Sequence, residues 1–277
     1  MDAQNADSGT NGIQRAGRQL SQRIRSNVTA NRALMKRRRK NRNLSIRVHG
    51  FRYFFLVAMT VFLAAVVLDN PVGAYRGKWP PEILWWASEL TDIAKSGWIL
   101  VPTGLLVLIG FGLDWSRFRA RTQLTLAKWV SASGYIFLSV GLSGLIVAIL
   151  KRLIGRARPV HFEELGAFDF QPFSNASFAS FPSGHSTTSG AMFAAIAIFF
   201  PRMRFVALVL AIWLGFSRVL VGAHFPSDVI AGVAFGAWYS YFTALFFARY
   251  GILFTTDENG WPVRRRGYEL TRFWVRG

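Results

Sequence analysis

Six apolar runs dominate this chain, at residues 53–68, 97–113, 129–150, 183–200, 205–222 and 229–248. All but the fifth, which Arg218 interrupts, are free of Asp, Glu, Lys and Arg. The hydrocarbon core of a bilayer takes about 17–25 residues of helix per crossing. Most of these runs are long enough, and the first, which is short, reaches that length if Arg52 extends back to the interface. Lipid offers no partner to a bare N–H or C=O, so a spanning segment must satisfy its backbone internally, as a helix does. The runs therefore predict an all-α polytopic membrane protein with six transmembrane helices.

Charge supports this reading by where it lies. The formal net charge is +19, yet 52% of the residues are hydrophobic. The charges sit in clusters between the apolar runs, whereas a soluble nucleic-acid binder interleaves them with its core residues. Nucleic acid is thus excluded as a partner. There is no Cys, which rules out disulfides and thiolate metal sites. The first apolar run begins too late for a cleavable leader and reads as an uncleaved anchor. Residues 1–52 carry 13 Lys/Arg against 2 acids, and residues 114–128 carry 4 against 1. Arg202, Arg204 and the run Arg264-Arg265-Arg266 fall on the same side if there are six crossings. The opposite side receives residues 69–95, with 3 basic and 4 acidic residues. Positive loops stay in the cytoplasm, so both termini are expected there.

Three divisions follow. Residues 1–50 form a basic cytoplasmic tail expected to be mostly disordered. Residues 51–250 form the six-helix membrane domain, and 251–277 a second basic cytoplasmic tail. Ile13, Leu20, Ile24 and Val28 could line a short amphipathic helix on a membrane surface. The run Lys36-Arg37-Arg38-Arg39-Lys40 reads as an orientation signal or as a contact for anionic lipids. Trp79, Trp85 and Trp86 suit either a helix at the outer interface or core packing.

The residues that carry chemistry collect at the outer ends of the last four runs. The first cluster is Lys151-Arg152-Leu153-Ile154-Gly155-Arg156-Ala157-Arg158-Pro159. A spacing of seven puts Lys151 and Arg158 on one face of a helix, which Pro159 then ends or redirects. Two fixed cations suit a phosphate dianion, although taken alone they are an ordinary basic helix end. Arg156 falls on another face, toward a headgroup or solvent. The second cluster is Pro182-Ser183-Gly184-His185, just before an apolar run. A hydroxyl and the free N–H groups of a helix start make an anion site, or simply a cap. The third is Ser217-Arg218, His224 and Asp228. A spacing of four lets Asp228 accept a hydrogen bond from His224 Nδ1, leaving Nε2 free and nucleophilic. A His–Asp pair of this kind can also be structural. His161 and His49 are read as non-catalytic.

Together, Lys-x6-Arg-Pro, Pro-Ser-Gly-His and Ser-Arg-x5-His-x3-Asp resemble the signature of the type 2 phosphatidic acid phosphatase superfamily, which also includes vanadium haloperoxidases. The resemblance covers about residues 140–245 and the six-helix plan. It implies that helices three to six form the catalytic core and that the substrate is a phosphorylated lipid. By that resemblance His224 is the nucleophile that becomes phosphohistidine, Asp228 orients it, and His185 is the general acid for the leaving oxygen. Lys151, Arg158, Ser183, Gly184 and Arg218 are the phosphate-binding residues. No metal and no cofactor is expected, since the cations are built in and no carboxylate cluster offers a Mg²⁺ site.

The resemblance implies phosphatidate, phosphatidylglycerophosphate, undecaprenyl diphosphate or lipid A as substrate. With both termini cytoplasmic, the site of this inner-membrane protein is expected to face the periplasm or the outside. Two alternatives exist. A vanadate-dependent haloperoxidase would oxidise bromide when given vanadate, but known relatives of that kind are soluble. A non-catalytic lipid carrier on the same fold has no need of His224, Asp228 and His185. Headgroup choice is expected in residues 69–95 and 160–181, where Phe162–Phe181 could form a lid or headgroup wall.

Overall fold

The computed structural model describes residues 2–40 and 51–265. The chain is mostly helical. We label its main helices α1 (Asp2–Lys40), α2 (Phe51–Ala74), α3 (Pro81–Ile93), α4 (Gly97–Gly112), α5 (Ala120–Ile154), α6 (Gly184–Phe199), α7 (Arg204–Leu220) and α8 (Pro226–Arg249). A π-helical turn, Ala65–Asp69, interrupts α2. Among the described residues five stretches are long and apolar enough to cross a membrane: Phe51–Ala74, Pro81–Gly112, Ala120–Ile154, Pro201–Leu220 and Pro226–Arg249. The sixth expected crossing, α6, has 16 residues. That falls just short of the usual length of a straight spanning helix.

Helix α6 is central, packed between α5, α7 and α8. Its inner face is built of small residues, with Ser186, Thr187, Ser189, Gly190 and Ala191 all buried. A Cβ added at Gly190 would run into the Val233 carbonyl, and one at Gly236 into the Thr187 carbonyl. Small residues at such crossings replace the hydrophobic drive that lipid cannot supply. Around this seam the bundle turns apolar side chains outward, among them Phe54, Phe62, Leu105, Leu108, Leu145, Phe205 and Ile212. In water that surface would be an aggregation liability; in a bilayer it faces lipid. At the end of the bundle where α5 begins, Tyr135 is enclosed by Phe199, Phe247 and Phe254, and its hydroxyl lies 2.7 Å from Ser240 Oγ.

Several expectations change here. The tail expected to be mostly disordered is helical over Asp2–Lys40, a stretch without proline. Asn27 Nδ2 donates to the Phe111 and Leu113 carbonyls, capping the free end of α4. That tertiary cap is invisible in composition. Ile13, Leu20 and Ile24 are exposed. Residues 41–50 and 266–277, with His49 and Arg266, lie outside the described residues. The all-helical expectation is adjusted by one antiparallel hairpin, β1 (Phe254–Thr256) and β2 (Pro262–Arg264). Its turn is set by Asp257, whose Oδ1 accepts from the Asn259 and Trp261 N–H groups. Trp85 and Trp86 are exposed on α3 and pack edge to face, which excludes them from a core.

Candidate active site

The C-terminal ends of α5 and α7 and the N-terminal ends of α6 and α8 meet at one end of the bundle. Helix α5 stops at Ile154 because Gly155 takes φ 66° and its N–H turns back to the Lys151 carbonyl. A side chain there would overlap the backbone of Gln171. Residues 155–158 then run extended between two pieces of the following loop. Ala157 N–H donates to Asp169 O, Gln171 N–H to Gly155 O, Arg158 N–H to Ser177 O and Ser180 N–H to Arg156 O. Lys151 therefore sits on the last turn of α5 and Arg158 beyond it. The shared helical face expected for them does not exist, and Gly155 ends the helix before Pro159 is reached. The loop still leaves the two cations close enough to act on each other.

Ser183 caps α6, its Oγ accepting from Ser186 N–H and Oγ. The serine keeps its own proton to donate. The N–H groups of Gly184 and His185 open the first turn, where no carbonyl four residues back lies within the helix. Lys151, Arg218 and His224 all act electrostatically on the His185 imidazole, as does Lys95 from the turn after α3. Arg218, near the end of α7, donates from Nη1 to Thr91 Oγ1 at 2.9 Å.

His224 is buried in the short turn between α7 and α8, its N–H on the Arg218 carbonyl. Asp228 is fully buried on the first turn of α8. His224 Nδ1 lies 3.6 Å from Asp228 Oδ2, longer than a hydrogen bond. The expected Nδ1 bond is thus not formed, and the buried Nδ1 has no other hydrogen-bond partner. Asp228 Oδ2 is meanwhile held by Ser180 Oγ at 2.6 Å and Phe225 N–H at 2.9 Å.

Arg156 is the largest departure from expectation. It touches neither solvent nor headgroup: it is 3% exposed and donates from Nη1 to Asp228 Oδ1 at 2.7 Å. The helical-face argument failed because Arg156 is no longer in a helix. Its Nη2 reaches Asp69, at the end of the π-turn in α2. Asp69, Ser180 and Thr91 are the site residues that sequence reasoning missed. Only Asp69 left a signal, as a carboxylate ending an apolar run. The 162–181 segment is less a lid than a brace, since Ala167 O and Ser180 Oγ hold Arg156 and Asp228 from it.

The site has a surplus of positive charge. Among the described residues Lys151, Arg158 and Arg218 have no carboxylate in an ion pair. The buried Nε atoms of Arg158 and Arg218 lack any hydrogen-bond partner. Unpaired buried donors are costly, and an anion is the kind of group that would satisfy them. Burial pushes the His224 imidazole below its ordinary value, with Arg158 and Arg218 acting the same way and Asp228 opposing them. The balance favours the neutral imidazole, the form with a lone pair to give. His161 lies to the side, stacked on Phe178. Among the described residues no group of three or more His, Asp or Glu is placed to hold a metal ion.

Residues 132–251 match the PAP2 superfamily. The chain is also 46% identical over 216 residues to a lipid A 1-phosphatase of Rhizobium johnstonii, covering 76% of this chain and 86% of the relative. The chain belongs to the PAP2 superfamily. A lipid A 1-phosphatase of Rhizobium etli is 46% identical, with 91% of that protein covered. Phosphatidylglycerophosphatase B of Bacillus subtilis is 28% identical over 67% of this chain and 87% of its own. This PAP2 protein is a multi-pass membrane phosphatase, a hydrolase of phosphoric esters on lipids. All the site residues singled out in its sequence lie within the matched segment, whereas Asp69 and Thr91 lie outside it.

Proposed function

We propose that this PAP2 protein removes the phosphate at the 1 position of lipid A, or of a closely similar glycolipid, through a phosphohistidine. The single observation that carries the chemistry is the convergence of three unpaired cations and two histidines at one end of the bundle. The identity to two lipid A 1-phosphatases, over most of their length, supports the substrate. In this mechanism Lys151, Arg158, Arg218, Ser183 Oγ and the Gly184 N–H hold the non-reacting phosphate oxygens, where fixed donors stabilise the charge that develops. His224 Nε2 attacks phosphorus as the bond to the sugar oxygen breaks. His185 gives that oxygen its proton, then takes one from the water that attacks the phosphohistidine. The N–P bond breaks and inorganic phosphate leaves. Asp228 orients His224 and balances its positive charge.

The same reading has α6 as a sixth crossing, shortened because its first turn is recessed to meet the phosphate. With six crossings both termini are cytoplasmic, the site opens to the periplasm from an inner membrane, and the basic N-terminal tail meets anionic lipids. A reporter active only outside the cytoplasm, fused after Gly277, is then silent. The deciding experiment presents purified protein in detergent with lipid A, phosphatidate, phosphatidylglycerophosphate and undecaprenyl diphosphate. Lipid A is expected to lose its glycosidic phosphate fastest. Turnover of phosphatidylglycerophosphate with none of lipid A would overturn the substrate assignment while leaving the chemistry intact.

A further inference from the structure

Asp69 is a carboxylate with no solvent exposure, carried by the first apolar helix and outside the PAP2 match. It accepts from Arg156 Nη2 at 2.7 Å, from Ser227 N–H at 3.0 Å and from Ser227 Oγ. Arg156 fills its remaining positions with Asp228 Oδ1 and Ser227 Oγ, each at 2.7 Å, and with the Ala167 carbonyl through Nε and Nη2. The guanidinium lies over the Phe225 ring, 4.5 Å from its centroid. Every polar contact of this cluster is inside the protein.

The charges are unequal. One guanidinium stands between two carboxylates, so the cluster carries one negative charge in excess. Burying such an excess is expensive unless something compensates it. The nearest candidate is His224, 3.6 Å from Asp228. A lone Arg156–Asp228 pair would be neutral and would give the imidazole little field. Asp69 cancels the guanidinium from its far side and leaves the charge of Asp228 uncommitted. The placement on a π-turn fits this role, since such turns re-aim a helix face at functional sites.

We propose that Asp69 and Arg156 are positioning residues for the reaction: Arg156 fixes the Asp228 carboxylate, and Asp69 keeps its negative charge available to His224 as that imidazole becomes cationic. The first apolar helix then belongs to the catalytic apparatus, although it carries none of the motif. The inference rests on His224 being the nucleophile. That premise fails separately, if His224→Ala still yields acid-trapped phosphoenzyme.

The test uses the full chain in detergent, with a lipid phosphate and an aryl phosphate as substrates. Besides Asp228, the charged groups facing His224 are Arg158 and Arg218, with His185 across the site. Asp69→Asn removes one negative charge and keeps the shape. The expected result is a kcat lower by about 10–100-fold, as for outer partners that orient a reacting group, with KM within about threefold. The acid limb of the pH profile should also move to lower pH, since the imidazolium has lost stabilisation. Arg156→Lys keeps the charge but loses the two-sided fork, and is expected to lower kcat with an unmoved KM. A merely structural role would lower the folded fraction and leave the profile of the remainder unchanged. An unchanged profile for Asp69→Asn with activity proportional to folded protein overturns the proposal. If Asp69→Asn does not fold, Arg156→Lys decides, and an undiminished kcat there overturns it equally.

Discussion

Thr91 offers a clean measure of how far the catalytic site extends beyond its motifs. Its hydroxyl is buried between α3 and α7 and accepts from Arg218 Nη1 at 2.9 Å and from Ser217 Oγ at 3.3 Å. Thr91→Val keeps the volume and removes the acceptor. Arg218 already has one unpartnered buried nitrogen, Nε, and the variant takes from Nη1 its bond to Thr91 as well. A hydrogen bond to a charged group contributes about 1.5–3 kcal/mol, which sets the upper range of the effect at about 10–150-fold in kcat/KM. Removing the guanidinium with Arg218→Ala takes away a proposed phosphate donor and is expected to cost about 10²–10³-fold. The two losses should not add. With Arg218 gone the Thr91 hydroxyl has no cation to hold, so Thr91→Val in that background should change kcat/KM by less than about twofold. The assay is phosphate release from lipid in detergent for the four proteins of the cycle, with thermal unfolding as a check on folding. Independent, multiplying effects would show that Thr91 acts on stability or headgroup access and does not steady Arg218.

Three further outcomes are expected. Because burial holds His224 below its ordinary value, kcat/KM should stay flat as pH falls through about 6.5 and decline only lower; measured with a phosphate ester whose own ionisation is corrected, a decline centred above that pH contradicts the buried environment. His185→Ala should slow release of a lipid alcohol by about 10²–10⁴-fold and an aryl phosphate far less, and equal losses on both would remove His185 from leaving-group duty. Gly236→Ala should lose about 1–3 kcal/mol of stability by overpacking, read as a lower melting temperature, whereas Gly144→Ala, where a Cβ meets nothing within 4 Å, should be neutral or stabilising; similar melting of both would mean that the α6–α8 seam is looser than it looks.

The apolar spans and the motif residues that gather at one end of the bundle were legible because each rests on a local signal. A span shows itself as a run without charge, and the motif residues keep fixed spacings at helix ends. What escaped needed three dimensions. Arg156 was assigned a helical face, but Gly155 had already ended the helix, and the partners that bury Arg156 come from α2, the 162–181 loop and α8. Asp69 looked like the first residue of a loop because a π-turn has no sequence signature. The helix Asp2–Lys40 was masked by its polarity, and Asn27 anchors it through carbonyls some 84 residues away.

The glycine seam between α6 and α8 decides which parts of the site can move. Gly190 and Gly236 bring the two backbones into contact, and the Ser183 N–H bonds directly to the Asp228 carbonyl. The first turn of α6, with the proposed phosphate donors, and the carboxylate at the start of α8 are therefore held as one piece. Neither helix can slide to close the gap between His224 and Asp228 without breaking the seam. Any adjustment of that distance is left to the five-residue turn between α7 and α8, which carries His224. The seam is in effect a fixed anvil, and the imidazole of His224 stands off it on a turn of its own.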